Sequence, residues 1–135
     1  MITPTSGALH LTSEWFIHAG REAEATLAIT QLVADVHDGE PDTLIYLVHQ
    51  RWPYSAELQS LPPSAPNALL FFEVYRNAEA FARHVEGPIF TRFLAAHGDL
   101  FVAANGRPYT TVKFLQLESG FIRELPEKRN RGDLD

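Results

Sequence analysis

Apolar residues recur along this chain with two periods, and the alternation between them predicts its elements. Residues 8–17, ALHLTSEWFI, alternate with period two and place Leu9, Leu11, Ser13 and Trp15 on one face of a first strand. From residue 21 to about 36 the period changes. Ala25, Ile29, Leu32, Val33 and Val36 form the buried stripe of a helix whose first turn carries Glu22 and Glu24. The turn cluster Asp38-Gly39-Glu40-Pro41-Asp42 ends it. TLIYLVHQ at 43–50 is rich in β-branched and aromatic residues and predicts a second strand. Residues 51–67 hold four prolines and no clean period, which predicts a long ordered loop or flap that carries Trp52, Tyr54 and Leu58. They either close over a site or cover the edge of the core.

The third strand, residues 68–75, is almost continuously apolar, as expected of a strand buried on both faces. Asn77 is suited to cap a helix over 78–86, Gly87-Pro88 interrupts, and a further helix covers 89–97 and stops at Gly98. Residues 99–107 are a connecting segment with a turn at Asn105-Gly106, and 109–117 form the fourth strand. Residues 1–125 thus make a single domain, followed by a polar tail at 126–135.

The order β-α-β, β-α-β is the split pattern of an α+β, ferredoxin-like domain: a four-stranded antiparallel sheet with its helices on one face. Strands two and three are apolar on both sides, so the face away from the helices needs a cover. A second copy, packed sheet against sheet, is the simplest one, and a homodimer is expected.

The segment 69–93 concentrates the candidate chemistry. Alternation puts Phe71, Glu73 and Tyr75 on one strand face, and helical spacing puts Phe81, His84 and Val85 on one stripe. If strand and helix fold together, Glu73, Tyr75 and His84 line one apolar space. A carboxylate in a doubly buried strand is costly unless paired or functional. Its structural partner would be His84, Arg76 or a backbone group, and a lone histidine on such a stripe is often only a hydrogen-bonded core residue.

Composition narrows the classes. The chain has 135 residues and no cysteine, which excludes disulfides, thiolate nucleophiles and thiolate metal sites. Its net charge of −6 argues against nucleic acid and anionic membranes as partners. No run approaches the ~18 apolar residues of a membrane span. MITPTSGALH does not read as an export signal, so a cytoplasmic location is expected. The other histidines lack ligand spacing, and no metal is expected. No phosphate-binding glycine loop appears. Fifteen aromatics (two Trp, four Tyr, nine Phe) are enough to wall a pocket as well as fill a core.

Three stretches carry a family resemblance. Glu40-Pro41-Asp42-Thr43-Leu44-Ile45-Tyr46 resembles an EPGTLxY entry to the second strand, with Asp42 where Gly is usual. Phe72-Glu73-Val74-Tyr75-Arg76-Asn77 with Ala80 and His84 resembles FxExYxDxxAxxxH, and Trp15 precedes Gly20 and a helix. From about Leu9 to Glu124 the chain resembles the antibiotic biosynthesis monooxygenase family, in particular its quinol monooxygenase-like branch, whose members are dimeric α+β barrels. The resemblance implies a cofactor-independent monooxygenase that oxidises a small electron-rich aromatic, a hydroquinone or polyphenol, with dioxygen. It implies His84, Glu73 and Tyr75 as catalytic groups, with Trp15 and Tyr46 against the ring; Phe71 and Phe81, and Trp52 from the 51–67 loop, complete the expected substrate-binding wall. Actinorhodin-type members carry Asn near Phe71 and Tyr near Phe81, so this chain departs from them at two polar positions. The alternatives on the same scaffold are a cofactor-free isomerase and a non-catalytic dimer that binds a small molecule.

Overall fold

A computed structural model of the chain describes residues 7–54, 57–104, 107–108 and 110–124. The Asn105-Gly106 turn and the 126–135 tail lie outside the described residues. The elements are β1 Leu9–Phe16, α1 Glu22–Gly39, β2 Thr43–Gln50, β3 Ala68–Tyr75, α2 Ala78–Glu86, α3 Pro88–His97 and a single 3-10 turn at Gly98–Leu100. Two-residue strands β4 Ala103–Ala104 and β5 Arg107–Pro108 follow, then β6 Thr110–Leu115. The connecting segment read at 99–107 therefore contains one half of a small antiparallel ladder, too short to leave a periodic signal.

Helix α1 outlasts its apolar stripe and runs to Gly39. Its end is set by Pro41, which disfavours a helical Glu40, and the Glu40 N–H donates to the Val36 carbonyl at 2.9 Å. Asn77 caps α2 by accepting from the Ala80 N–H at 2.9 Å. Gly87 joins α2 to α3 with no room for a side chain, because a Cβ there would stand 2.5 Å from the Arg83 carbonyl oxygen.

The main sheet is antiparallel in the order β2-β3-β1-β6. Residues opposite one another in such a sheet point to the same side. The pairs Ser13↔Phe71, Leu11↔Glu73, Leu9↔Tyr75, Tyr46↔Glu73 and Ser13↔Val112 thus mark the face covered by the helices. An irregularity between Thr43 and Ile45 shifts the register, so Thr43, opposite Tyr75, shares this face with Tyr46 although the two are three residues apart. The ferredoxin-like α+β frame is the one expected, with three helices on the covered face.

Packing under the helices is dominated by rings. Trp15 lies against Phe101 (centroids 5.1 Å), Phe71 (5.7 Å), Phe90 (6.0 Å) and Phe93 (6.4 Å). Ala28, Ile29, Leu32 and Val36 of α1 complete this core. On the far face Leu47 is 50% and Leu70 42% exposed. No helix among the described residues is long and apolar enough to cross a membrane.

Candidate active site

A cavity of about 590 Å³ opens between the sheet and helices α2 and α3. Its walls are mostly rings and aliphatic chains: Trp15, Tyr46, Phe71, Phe81 and Phe90, with Leu11 and Val112. Four polar side chains interrupt them, Ser13, Glu73 and Thr110 from the sheet and His84 from α2. Volume and lining are those of a site for a small, largely apolar molecule.

His84 is 3% exposed and sits over three rings, Phe90 at 5.0 Å, Tyr46 at 5.4 Å and Tyr75 at 5.5 Å. Its Nδ1 stands 2.7 Å from Glu40 Oε1, an oxygen that also accepts from the Thr43 hydroxyl at 3.1 Å. A carboxylate only accepts, so Nδ1 carries the proton in the neutral ring and Nε2 keeps its lone pair. Nε2 makes no hydrogen bond among the described residues. A histidine oriented by a carboxylate at one nitrogen, with the other free in a cavity, has the arrangement of a general base.

Glu73 is the second polar station. It is 5% exposed and accepts from the Tyr75 hydroxyl at 2.6 Å and from the Ser13 hydroxyl at 3.4 Å. Ser13 in turn accepts from the Trp15 Nε1–H at 3.2 Å. Burial pushes the Glu73 carboxyl above the ordinary carboxylate range, and the hydrogen bond from Tyr75 opposes that shift only in part. Burial likewise drives the phenols of Tyr75 and Tyr46 well up, so both stay neutral and can donate but not act as bases.

The raised acid fixes the sign of a pH effect. Between the unfolded carboxylate value, about 4.3, and the higher folded value, the folded chain holds a proton that the unfolded chain has lost. Stability therefore falls as pH rises through that window. Glu73→Gln removes this contribution. Thermal melts from pH 4 to neutrality are expected to show the wild type losing Tm relative to the variant as pH rises. The reverse slope would mean that Tyr75 and Ser13 hold Glu73 ionised.

Several of the expected site residues meet here: His84, Glu73, Trp15, Tyr46, Phe71 and Phe81 all line the cavity. Tyr75 does not. Its side chain is fully buried behind Glu73, and its hydroxyl is committed to that carboxylate. Trp52 is not brought in either. It is 59% exposed, packs on Tyr54 at 5.2 Å and lines a separate depression. No described residue of 51–67 reaches the cavity wall, because the loop follows β2 at an edge of the sheet. Glu73 and His84 are not each other's hydrogen-bonding partners. The residue that sequence reasoning missed is Glu40, which looked like one acid in a turn cluster. The only signal for it was its place in the Glu40–Tyr46 motif. Among the described residues no three His, Asp or Glu converge in a way that would hold a metal ion.

The family model described as antibiotic biosynthesis monooxygenase matches residues 9–96. No curated protein matches the chain. Solved structures share the fold. A candidate antibiotic biosynthesis monooxygenase from Caulobacter crescentus superposes with a TM-score of 0.65 at 18% identity, over 84% of this chain and 92% of that one. PA3566 from Pseudomonas aeruginosa gives 0.63 at 18% identity, over 87% and 100%. Rv0793 from Mycobacterium tuberculosis gives 0.62 at 15% identity, over 84% and 98%.

Proposed function

The chain belongs to the antibiotic biosynthesis monooxygenase family, and from that premise we propose that it oxygenates a small electron-rich aromatic, a hydroquinone or polyphenol, with dioxygen and without a cofactor. The observation that carries this reading is the Glu40–His84 pair at 2.7 Å on the wall of a ring-lined cavity. Nε2 takes the proton of a bound phenolic hydroxyl. The resulting anion is electron-rich enough to pass an electron to dioxygen, and the rings of Trp15, Phe71 and Phe81 keep it away from water. All four electrons that reduce dioxygen come from the substrate. A hydroquinone plus dioxygen gives a hydroxyquinone plus water, with one oxygen atom on a ring carbon and the other leaving in the water. Glu73 assists as a polar group beside the bound ring, with the Tyr75 hydroxyl behind it fixing its carboxyl.

Oxygen uptake across a panel of hydroquinones tests the chemistry, with product mass and an isotope label from dioxygen as readouts. One labelled oxygen per product is expected. Turnover that persists under nitrogen would replace the reading with a proton-shuffling isomerase. Ligand-induced stabilisation with no product would replace it with a binding protein.

The partner in this reading is a second copy. The far face of the sheet exposes Leu47 and Leu70, the kind of surface that sheet-on-sheet packing covers. Light scattering is expected to return twice the 15.1 kDa of one chain; a single-chain mass at micromolar concentration contradicts the dimer.

A further inference from the structure

The carboxylate that orients His84 comes from a turn, and turns are the least constrained part of a fold. Glu40 follows the last residue of α1 and precedes β2 by three positions. Its carboxylate must stay within hydrogen-bonding distance of a side chain 44 residues further on, on a different helix. Thr43 holds one carboxylate oxygen from within the same turn, which does nothing to fix that turn against α2.

Asp42 supplies the missing tie. Its Oδ1 accepts from Arg76 Nε at 2.8 Å and its Oδ2 from Arg83 Nη2 at 3.0 Å. Arg76 lies just after β3, and Arg83 is the residue immediately before His84 on α2. Each carboxylate oxygen thus anchors the 40–43 turn to a different element, and one anchor is next to the histidine. The Arg76 N–H also donates to the Asp42 carbonyl at 2.9 Å, so the start of β2 stays attached to the end of β3 whatever the side chain does. Arginine suits this task because its planar fork fixes direction as well as charge. The arginine at position 76 holds the Asp42 carboxyl below the usual carboxylate range, so the clamp is charged at neutral pH.

We propose that Asp42, clamped by Arg76 and Arg83, is a positioning residue that holds Glu40 in register with His84. The clamp is exposed, and exposed ion pairs contribute little to global stability, so its signature is local. Its consequence for turnover rests on the function proposed above; the measurement below does not.

The test reads the imidazole nitrogens of His84 by NMR in the full chain, assigned by comparison with His84→Gln. In the wild type the neutral ring is expected as the Nδ1–H tautomer. In Asp42→Asn and in Arg83→Gln alike, the Nε2–H tautomer is expected to grow on the order of threefold, from partial loss of one charge-assisted hydrogen bond. Glu40→Gln sets the limit for a broken pair. The two clamp variants remove charges of opposite sign, so a purely electrostatic influence would move the populations in opposite directions. Raising salt from about 0.05 M to about 1 M screens exposed charges far more than buried ones. It is expected to shift the wild type toward the variants and leave Asp42→Asn unmoved. Opposite shifts in the two variants, or populations unchanged in both, overturn the proposal.

Discussion

Replacing His84 by alanine is expected to lower kcat/KM for oxygen uptake by roughly a hundred- to ten-thousand-fold, the range supplied by one positioned general base. The geometry behind this figure is specific. His84 contributes the only imidazole on the cavity wall among the described residues. The phenols of Tyr46 and Tyr75 are pushed too high to replace it. The Glu73 carboxyl is engaged at both oxygens, by the hydroxyls of Tyr75 and Ser13. The deletion also leaves Glu40 without its imidazole N–H donor, at a cost of about 1–3 kcal/mol, so His84→Gln, which refills most of the volume, separates folding from chemistry. Glu40→Gln keeps the imidazole and loses only its orienting carboxylate; a smaller loss, on the order of tenfold, is expected there. Steady-state oxygen consumption and a thermal melt on each variant decide the matter. Uptake indifferent to both His84 substitutions would remove the base from the mechanism while leaving the fold intact.

The largest effect on stability is expected at Trp15. It is buried and in ring contact with Phe71, Phe90, Phe93 and Phe101, so it links β1, β3, α3 and the segment after the 3-10 turn. Trp15→Ala removes that packing and leaves a void that four large rings cannot fill without moving. Truncations of this kind cost about 3–5 kcal/mol, against a total of about 5–15 kcal/mol for a domain. A fall in Tm on the order of 10–20 °C follows for a chain of this size. Trp15→Phe keeps most of the apolar body but loses the indole N–H donated to Ser13. It should melt between the two and disturb the Ser13–Glu73 hydrogen bond. A Trp15→Ala variant that melts within about two degrees of the wild type would show that the rings repack freely, against the expectation for a close-packed interior.

The elements were legible because each has a local cause. Period two over 8–17, the continuous apolar run over 68–75, period 3.6 over 21–36 and 78–86, the cap at Asn77 and the break at Gly87-Pro88 all act within a few residues. The ends were less legible. Helix α1 runs on to Gly39 because nothing before Pro41 stops it, and the β4–β5 ladder is shorter than any period. Trp52 shows the limit of reading apolarity as burial: an exposed aromatic in a proline-rich loop has the same composition as a lid.

The candidate site divides along the same line. The sequence by itself determined which face each strand residue occupies, and so brought Phe71, Glu73 and Trp15 toward one space, because alternation is a property of the extended backbone. It also determined that His84 lies on the buried stripe of α2, because helical spacing is local too. Only the tertiary structure decided the partners. Glu73 took Tyr75 and Ser13, neighbours on its own sheet face, while His84 took Glu40 from a turn that periodicity cannot place. Such pairings depend on strand register, on the shift between Thr43 and Ile45, and on the angle at which α2 crosses the sheet. These are set by the packing of the whole domain, and no short stretch of residues encodes them.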